Sequence, residues 1–334
     1  MGLLKFQQLK PIKITVVFFK TIALTLSTSL IYGQDIHMPA LQELNILYNP
    51  ALKTDKITKT YVGFRTVNYP GIISYSSKLI AIELPLVSKN DNFADVTRYF
   101  DIAAAINTTG AKDGSLAASG ATVALTYALP LNGAGTYIST GFNVNYNFNR
   151  IGSTVYGGYY PEGFDKQDAL GAAIVADPYQ SGFNFGYFSS GAGISVFHTE
   201  ENTQWYAGVS TRNFNHPYTE WNRTSGLGSN NGVQAGYTTT INEVANIGCY
   251  ANLSWHNSVY EHFFGVTYTR NLDDSSRYKV TGGIGFRLGD ALVPSVALAL
   301  KNTLVSFFYD LNLPNNIYKL NRRKAYSFSL RVVL

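Results

Sequence analysis

Alternation with a period of two runs through most of this chain. From Ile138 to Phe148, Ile138, Thr140, Phe142, Val144, Tyr146 and Phe148 stand against Ser139, Gly141, Asn143, Asn145 and Asn147. Successive strand residues point to opposite faces, so the pattern predicts a strand with one apolar face and one small or polar face. It returns near the end of the chain. Val280, Gly282, Ile284, Phe286 and Leu288 oppose Thr281, Gly283, Gly285, Arg287 and Gly289. After a break at Gly289-Asp290, Val296, Leu298 and Leu300 oppose Ala297, Ala299 and Lys301. A tight connection at Asn302-Thr303 leads to Val305, Phe307, Tyr309 and Leu311, opposed to Ser306, Phe308 and Asp310. The polar face of this stretch thus carries Arg287, Lys301 and Asp310, and the apolar face carries no charge.

Fourteen such segments are predicted, at 60–69, 77–86, 99–109, 120–130, 136–149, 183–198, 203–212, 231–241, 245–256, 258–270, 277–288, 294–301, 304–311 and 325–334. Most have the length of about 9–11 residues that a tilted membrane strand needs. The last, with Tyr326, Phe328, Leu330, Val332 and Leu334 on one face, supplies the amphipathic strand that barrel closure needs. Residues 34–59 hold no period and read as an irregular N-terminal segment, periplasmic or packed in the barrel mouth or lumen.

A two-faced strand also suits a soluble sandwich, and composition separates the two. The chain is 14% aromatic and 14% charged, with 30 Gly and a mean hydropathy of −0.03. Soluble domains carry roughly a quarter charged residues, so this chain lacks the charge to wet a surface of its size. No uncharged apolar run reaches the ~18 residues of a spanning helix. The four Asn, Asn143 to Asn149, on one face of a strand are costly in a dry core and tolerable in a wet lumen. The fold class expected is therefore all-β, a transmembrane antiparallel barrel of about 14 strands in the outer membrane, over residues 60–334.

Residues 1–33 differ in kind. Lys5, Lys10, Lys13 and Lys20 precede the apolar run Thr21–Tyr32 and the small Gly33, the order of parts in a signal peptide cleaved near Gly33. Without those four lysines the 26 basic residues fall to 22 against 21 acidic ones. The basic balance is then a targeting signal, and no nucleic-acid partner follows from it. Cys249 is the only cysteine, which leaves no disulfide and no cysteine metal cluster.

The connections fit the same reading. Counting fourteen strands puts the two longest, 150–182 and 213–230, at one end of the barrel, with the short turns and both chain ends at the other. Bacterial barrels have long outer loops and short periplasmic turns.

Chemistry is sparse. His37, His198, His216, His256 and His262 have no nucleophile beside them in an elbow motif. Asp273-Asp274 reads as an inner turn, and the glycines of 282–289 open no helix to hold a phosphate. No catalytic, metal or cofactor residue is assigned. One constellation stands out: Arg287, Asp290 and Asp310 fall near the outer ends of strands two apart, with Arg287 and Asp310 facing inward. A charge-paired cluster under the outer mouth is expected.

Several stretches carry a resemblance. They are Gln34-Asp35-Ile36-His37, Asn49-Pro50-Ala51-Leu52, Tyr61-Val62-Gly63-Phe64, Tyr206-Ala207-Gly208-Val209-Ser210 running to His216-Pro217, and Gly285-Phe286-Arg287-Leu288-Gly289-Asp290-Ala291 followed by Phe308-Tyr309-Asp310. Together they resemble the PorP/SprF family of outer-membrane proteins associated with type IX secretion in Bacteroidetes, in order along the whole mature chain. Thr211-Arg212-Asn213 and the terminal Leu334 depart from the family pattern. The resemblance implies a non-enzymatic component of the secretion and gliding machinery. It further implies outer-membrane lipid around the barrel, a secreted surface protein with a C-terminal sorting domain as client, and periplasmic or peptidoglycan-linked partners. It marks Asn49, Pro50, Arg287, Asp290, Ala291, Tyr309 and Asp310 as motif residues. A porin or small-hydrophobe channel is the alternative from another class.

Overall fold

The computed structural model describes residues 38–39, 43–53, 55–69, 73–86, 98–114, 116–131, 135–151, 183–218, 226–256, 259–273, 277–313 and 323–334. The predicted leader 1–33, His37, Asp274 and most of the expected loop 150–182 lie outside these residues.

Fourteen strands follow one another in the order of the chain. The first seven are β1 (Lys59–Tyr69), β2 (Ile73–Leu86), β3 (Tyr99–Ala111), β4 (Leu116–Pro130), β5 (Thr136–Ile151), β6 (Phe183–Thr199) and β7 (Thr203–Arg212). The rest are β8 (Asn230–Asn242), β9 (Ala245–His256), β10 (Val259–Asn271), β11 (Tyr278–Arg287), β12 (Ala291–Leu300), β13 (Thr303–Asn312) and β14 (Lys324–Val333). Each pairs antiparallel with its sequence neighbours, and β1 pairs with β14 from Lys59↔Val333 to Asn68↔Lys324, closing the barrel. Closure leaves no sheet edge unpaired, which a sheet surrounded by lipid requires.

The two faces sort as the alternation predicts. Ile80, Ile106, Val123, Val266, Ile284 and Val296 are each more than half exposed on the outward face. Inward neighbours such as Leu79, Ala105, Thr122 and Arg287 are buried. Such a belt of exposed branched and aromatic side chains is stable only against an apolar surround. Cys249 is on this outward face, between Ile247 and Ala251.

Both chain ends lie together, with the Leu334 N–H donating to the Thr58 carbonyl at 3.0 Å. The connections β5–β6 and β7–β8 are at the opposite end, called here the outer end.

Three local expectations need correction. Lys301 does not line the lumen: with Leu300 paired to Thr303, the two-residue turn is Lys301-Asn302, one position earlier than the apolar pattern placed it. Lys301 sits exposed there at φ 55. A side chain with a Cβ is strained in this left-handed region, so Lys301→Gly is expected to stabilise the barrel by ~1 kcal/mol, measured as urea resistance in lipid vesicles. Second, β12 begins at Ala291 rather than 294, with Pro294 inside it. Pro294 pairs with Ile284 of β11, but the ladder to β13 skips from Leu292↔Leu311 to Ser295↔Phe308, because proline has no N–H to donate. Third, His198 lies within β6, where its ring stacks on Trp205 and its Nδ1 is 2.9 Å from Thr136 Oγ1, rather than opening a turn. Strands β2 and β4 also start earlier than predicted, since hydroxyls and small residues carry them beyond the apolar belt.

Candidate functional site

The chain before β1 occupies the lumen. Its described part runs from Glu43 through a one-turn helix, α1 (Asn45–Tyr48), to Lys53, and it makes contact around most of the wall. At the inner end Arg331 of β14 donates to Glu43 Oε2 at 2.7 Å. The segment then crosses to β7, where Ser210 Oγ donates to the Tyr48 carbonyl at 2.8 Å. Leu44 and Ile46 pack with Met38, Tyr61, Leu79, Ala81, Ala103 and Ala105, giving the barrel an apolar core between this plug and β1–β4.

The turn Asn49-Pro50-Ala51 is the most closely held part. Asn49 is fully buried, and both its amide hydrogens and its amide oxygen have partners. Nδ2 donates to Gln234 Oε1 at 3.0 Å and to the Val209 carbonyl at 3.3 Å, while Oδ1 accepts the Ala51 N–H at 2.9 Å. Ser139 and Ser195 both donate to the Ala51 carbonyl, at 2.6 and 2.8 Å, and Thr126 donates to the Pro50 carbonyl. Three glycines on adjacent strands leave the room. A Cβ on Gly141 would stand 2.5 Å from Ala51 N, one on Gly208 would stand 2.7 Å from Asn49 Nδ2, and one on Gly193 would overlap Asn49 Oδ1. A slot of this shape admits backbone and one amide and nothing larger.

Below the turn the chain returns to β1 under three lysines. Lys53 Nζ is 3.0 Å from Glu83 and 2.9 Å from Asp101, both inward on β2 and β3. Lys56 lies over the Tyr99 and Tyr137 rings, 5.3 and 4.9 Å from their centroids. Lys59 is 3.3 Å from both Asp55 and Glu83. Lys53 and Lys59 thus share Glu83, while Lys56 between them meets the aromatic rings instead.

A second polar group lies toward the outer end, on β1 and β10–β14. Asp310, 1% exposed, accepts from Arg65 at 2.7 Å and from Arg287 at 3.0 Å. Arg287 also reaches Asp290 at 2.9 Å and Glu261 at 3.3 Å, with its guanidinium over the Phe263 ring. Arg323 closes the network on Asp290 at 2.6 Å. Arg65 reaches Asp310 across β14 because the residue between them there is the small Ser327, paired with Arg65 on one side and Phe308 on the other. Burial alone pushes the Asp290 carboxyl up, but the Arg323 and Arg287 guanidiniums outweigh it and hold the group below the usual carboxylate range. Its stabilisation is therefore present above the ordinary carboxyl range and is lost as pH falls through the depressed value.

Six of the seven motif residues gather in these two places. Asn49 and Pro50 form the plug turn, while Arg287, Asp290 and Asp310 form the outer network. Ala291, fully buried, packs beside Phe263 and Val293 beneath that network. Tyr309 faces outward and pairs with Tyr326, away from both. The alternation points Arg65, Glu83 and Asp101 inward from the start, but nothing local says which charge each will meet. Gly141, Gly193 and Gly208 read as ordinary strand glycines until the plug is seen against them. The asparagines of β5 are partly satisfied by neighbours: Thr122 donates to Asn145 at 2.7 Å, and Asn147 donates to Ser189 at 3.2 Å. Among the described residues no group of three His, Cys, Asp or Glu is placed to hold a metal ion.

A closed fourteen-stranded barrel with an apolar outer belt and a lumen occupied by its own N-terminal segment defines a membrane protein of the outer-membrane barrel class. Solved barrels share the fold. The Pseudomonas putida toluene transporter TodX superposes with a TM-score of 0.52 at 8% identity, over 86% of this chain and 92% of that one. A Pseudomonas aeruginosa FadL homologue does so at 0.50 and 9%, over 85% and 92%. No curated protein matches the chain. The particular family is shown by the sequence: residues 31–332 match the type IX secretion system membrane protein PorP/SprF, and the chain belongs to that family. It is a family of secretion membrane barrels, not of enzymes.

Proposed function

We propose that this protein is a non-enzymatic outer-membrane barrel of the type IX secretion machinery that supports export or surface anchoring of a sorting-domain-bearing protein. Its leader is removed near Gly33, and its partners are that client and periplasmic components of the machinery. Membership of the family supports the secretion role, and one structural observation favours it over an open channel. The lumen is crossed by Glu43–Lys53, and the turn of that segment is seated in a slot made for it rather than resting loosely in a pore. With the plug seated, the barrel ends rather than an open bore are the surfaces this protein presents to other molecules.

The test is a deletion of the gene followed by mass spectrometry of the cell-surface proteome, together with affinity purification from detergent-solubilised membranes. The expected result is loss of one or a few surface proteins carrying the sorting domain, and their recovery with the tagged barrel. A porin or hydrophobe channel instead predicts an unchanged surface proteome and ion conductance by the wild-type protein in planar bilayers, which together would overturn the reading.

A further inference from the structure

The outward face of the barrel changes character abruptly on one side. Antiparallel register puts Val62, Ile80, Ile106, Ala121 and Tyr146 in one row across β1–β5, with Thr60, Ile82, Ala104, Val123 and Val144 in the row on its inner side. The next row toward the outer end is Phe64, Lys78, Thr108, Ser119 and Phe148, and the one beyond it Thr66, Ser76, Gly110, Ala117 and Arg150. One step further, Asn68 pairs with Ser74 on one side and Lys324 of β14 on the other, and the Lys112 N–H donates to the Ser74 carbonyl. Each row advances about 7 Å along the strand.

Lys78, Arg150 and Lys324 are all exposed on this outward face, and Lys112 is exposed in the β3–β4 turn. Among the described residues none of the four forms an ion pair, and no acidic side chain faces outward from β14 or β1–β5. Asp113, in the same turn as Lys112, is the acid nearest in sequence, and it has a partner of its own. The opposite side of the barrel is built differently. There the outer rim of β9 and β10 carries the cross-strand pair Trp255 and Tyr260, with His262 beside it and, among the described residues of that rim, no lysine or arginine facing outward.

We infer that the cationic rim of β14 and β1–β5 binds the phosphate groups of outer-leaflet lipid. The charges sit directly above rows of exposed isoleucine and valine that acyl chains cover, so an anion bound there is carried on a lipid. A lysine or arginine on a lipid-facing strand is costly at the bilayer midplane and nearly free at the interface, which agrees with Lys78 marking the boundary. Thr66, Ser76, Thr108 and Ser119 stand between the charges and supply hydroxyl donors to phosphate oxygens. The aromatic rim of β9–β10 anchors in the interface without selecting charge. The barrel therefore presents one phosphate-binding side and one neutral side, which orients it among anionic lipids and leaves the neutral side for contact with other proteins.

The test compares the wild-type protein with the K78Q/K112Q/R150Q variant, using K301Q at the inner end as control. Each is reconstituted in zwitterionic phospholipid vesicles, alone or with a phosphorylated outer-membrane glycolipid, its enzymatically dephosphorylated form, or free inorganic phosphate. Three basic residues at the surface correspond to roughly a hundredfold in lipid affinity. The wild type and K301Q are expected to retain the phosphorylated glycolipid in native mass spectra and to unfold at a higher temperature with it. Neither the dephosphorylated form nor free phosphate should produce that shift, and the triple variant should lose both effects. Equal retention by wild type and triple variant would overturn the inference. So would a wild-type shift reproduced by the dephosphorylated lipid or by inorganic phosphate. The wild-type arms decide the matter even if the triple variant fails to fold.

Discussion

Replacing Gly193 by leucine is expected to drive the plug turn from its slot and to convert a silent barrel into a conducting one. The added side chain needs the volume that Asn49 Oδ1 now fills, so either the β6 backbone or the plug must move. Strand β6 is held by continuous ladders to β5 and β7, whereas the turn is held by a handful of side-chain hydrogen bonds, each contributing about 1 kcal/mol net. The weaker element gives way. Displacing Asn49 also leaves Gln234 Oε1 without its donor and takes the Ala51 carbonyl away from the Ser139 and Ser195 hydroxyls, so a half-seated turn forfeits several of its bonds at once. A fourteen-stranded barrel emptied in this way lies nearer the porins than the side-chain-filled eight-stranded barrels in width. The measurement is single-channel conductance in planar bilayers, with heat-modifiable migration as the check on folding. The wild type should be silent and Gly193→Leu should conduct; a folded, silent Gly193→Leu barrel would show that the plug does not seal the lumen.

The largest loss of stability is expected at Asp310. Its carboxylate is the shared acceptor of Arg65 and Arg287, all three groups are more than nine-tenths buried, and Arg65 has no other ion partner among the described residues. Asp310→Ala takes that charge from Arg65, Arg287 and, at 3.5 Å, Arg323, and breaking a buried pair from one side costs about 3–5 kcal/mol. Arg287 keeps Asp290 and Glu261, and Arg323 keeps Asp290, so most of the penalty falls on Arg65. Adding Arg65→Met to Asp310→Ala is therefore expected to recover a large part of the loss, because a flexible apolar chain needs no counter-ion. Denaturant unfolding in vesicles, read by heat-modifiable migration, gives all three values. If the single and double variants are equally destabilised, the Arg65–Asp310 pair is not what holds β1 to β13 across β14.

The plug and the outer network divide the work of keeping this barrel shut. The network sits where β1 meets β14, the one junction made by strands at opposite ends of the chain, and spans it from β1 to β13. The plug touches β14 through Glu43 and β2–β8 through its turn and its lysines. Both tie the first strand to the rest, and both do so with groups that satisfy one another's charges instead of leaving them to lumen water. The outward faces and the barrel ends are then free for lipid and for partners.

Strand parity is a local property, and the sequence determined it without help. The alternation around Ile284 and Phe307 assigns their faces, and the same parity turns Arg287 and Asp310 inward, since consecutive side chains have only two directions available. Fourteen segments, the placement of the long connections at one end, and the apolar belt all follow from that period and from composition. Partner choice is not local. Arg65 and Asp310 are 245 residues apart and meet only because closure puts β14, with its small Ser327, between them. The tertiary structure alone decided that residues 43–53 fold back into the lumen, since an irregular stretch with no period carries no sign of the surface it will touch. It also decided that Gly141, Gly193 and Gly208 form a slot, because the absence of a side chain has meaning only against the atoms that occupy the space.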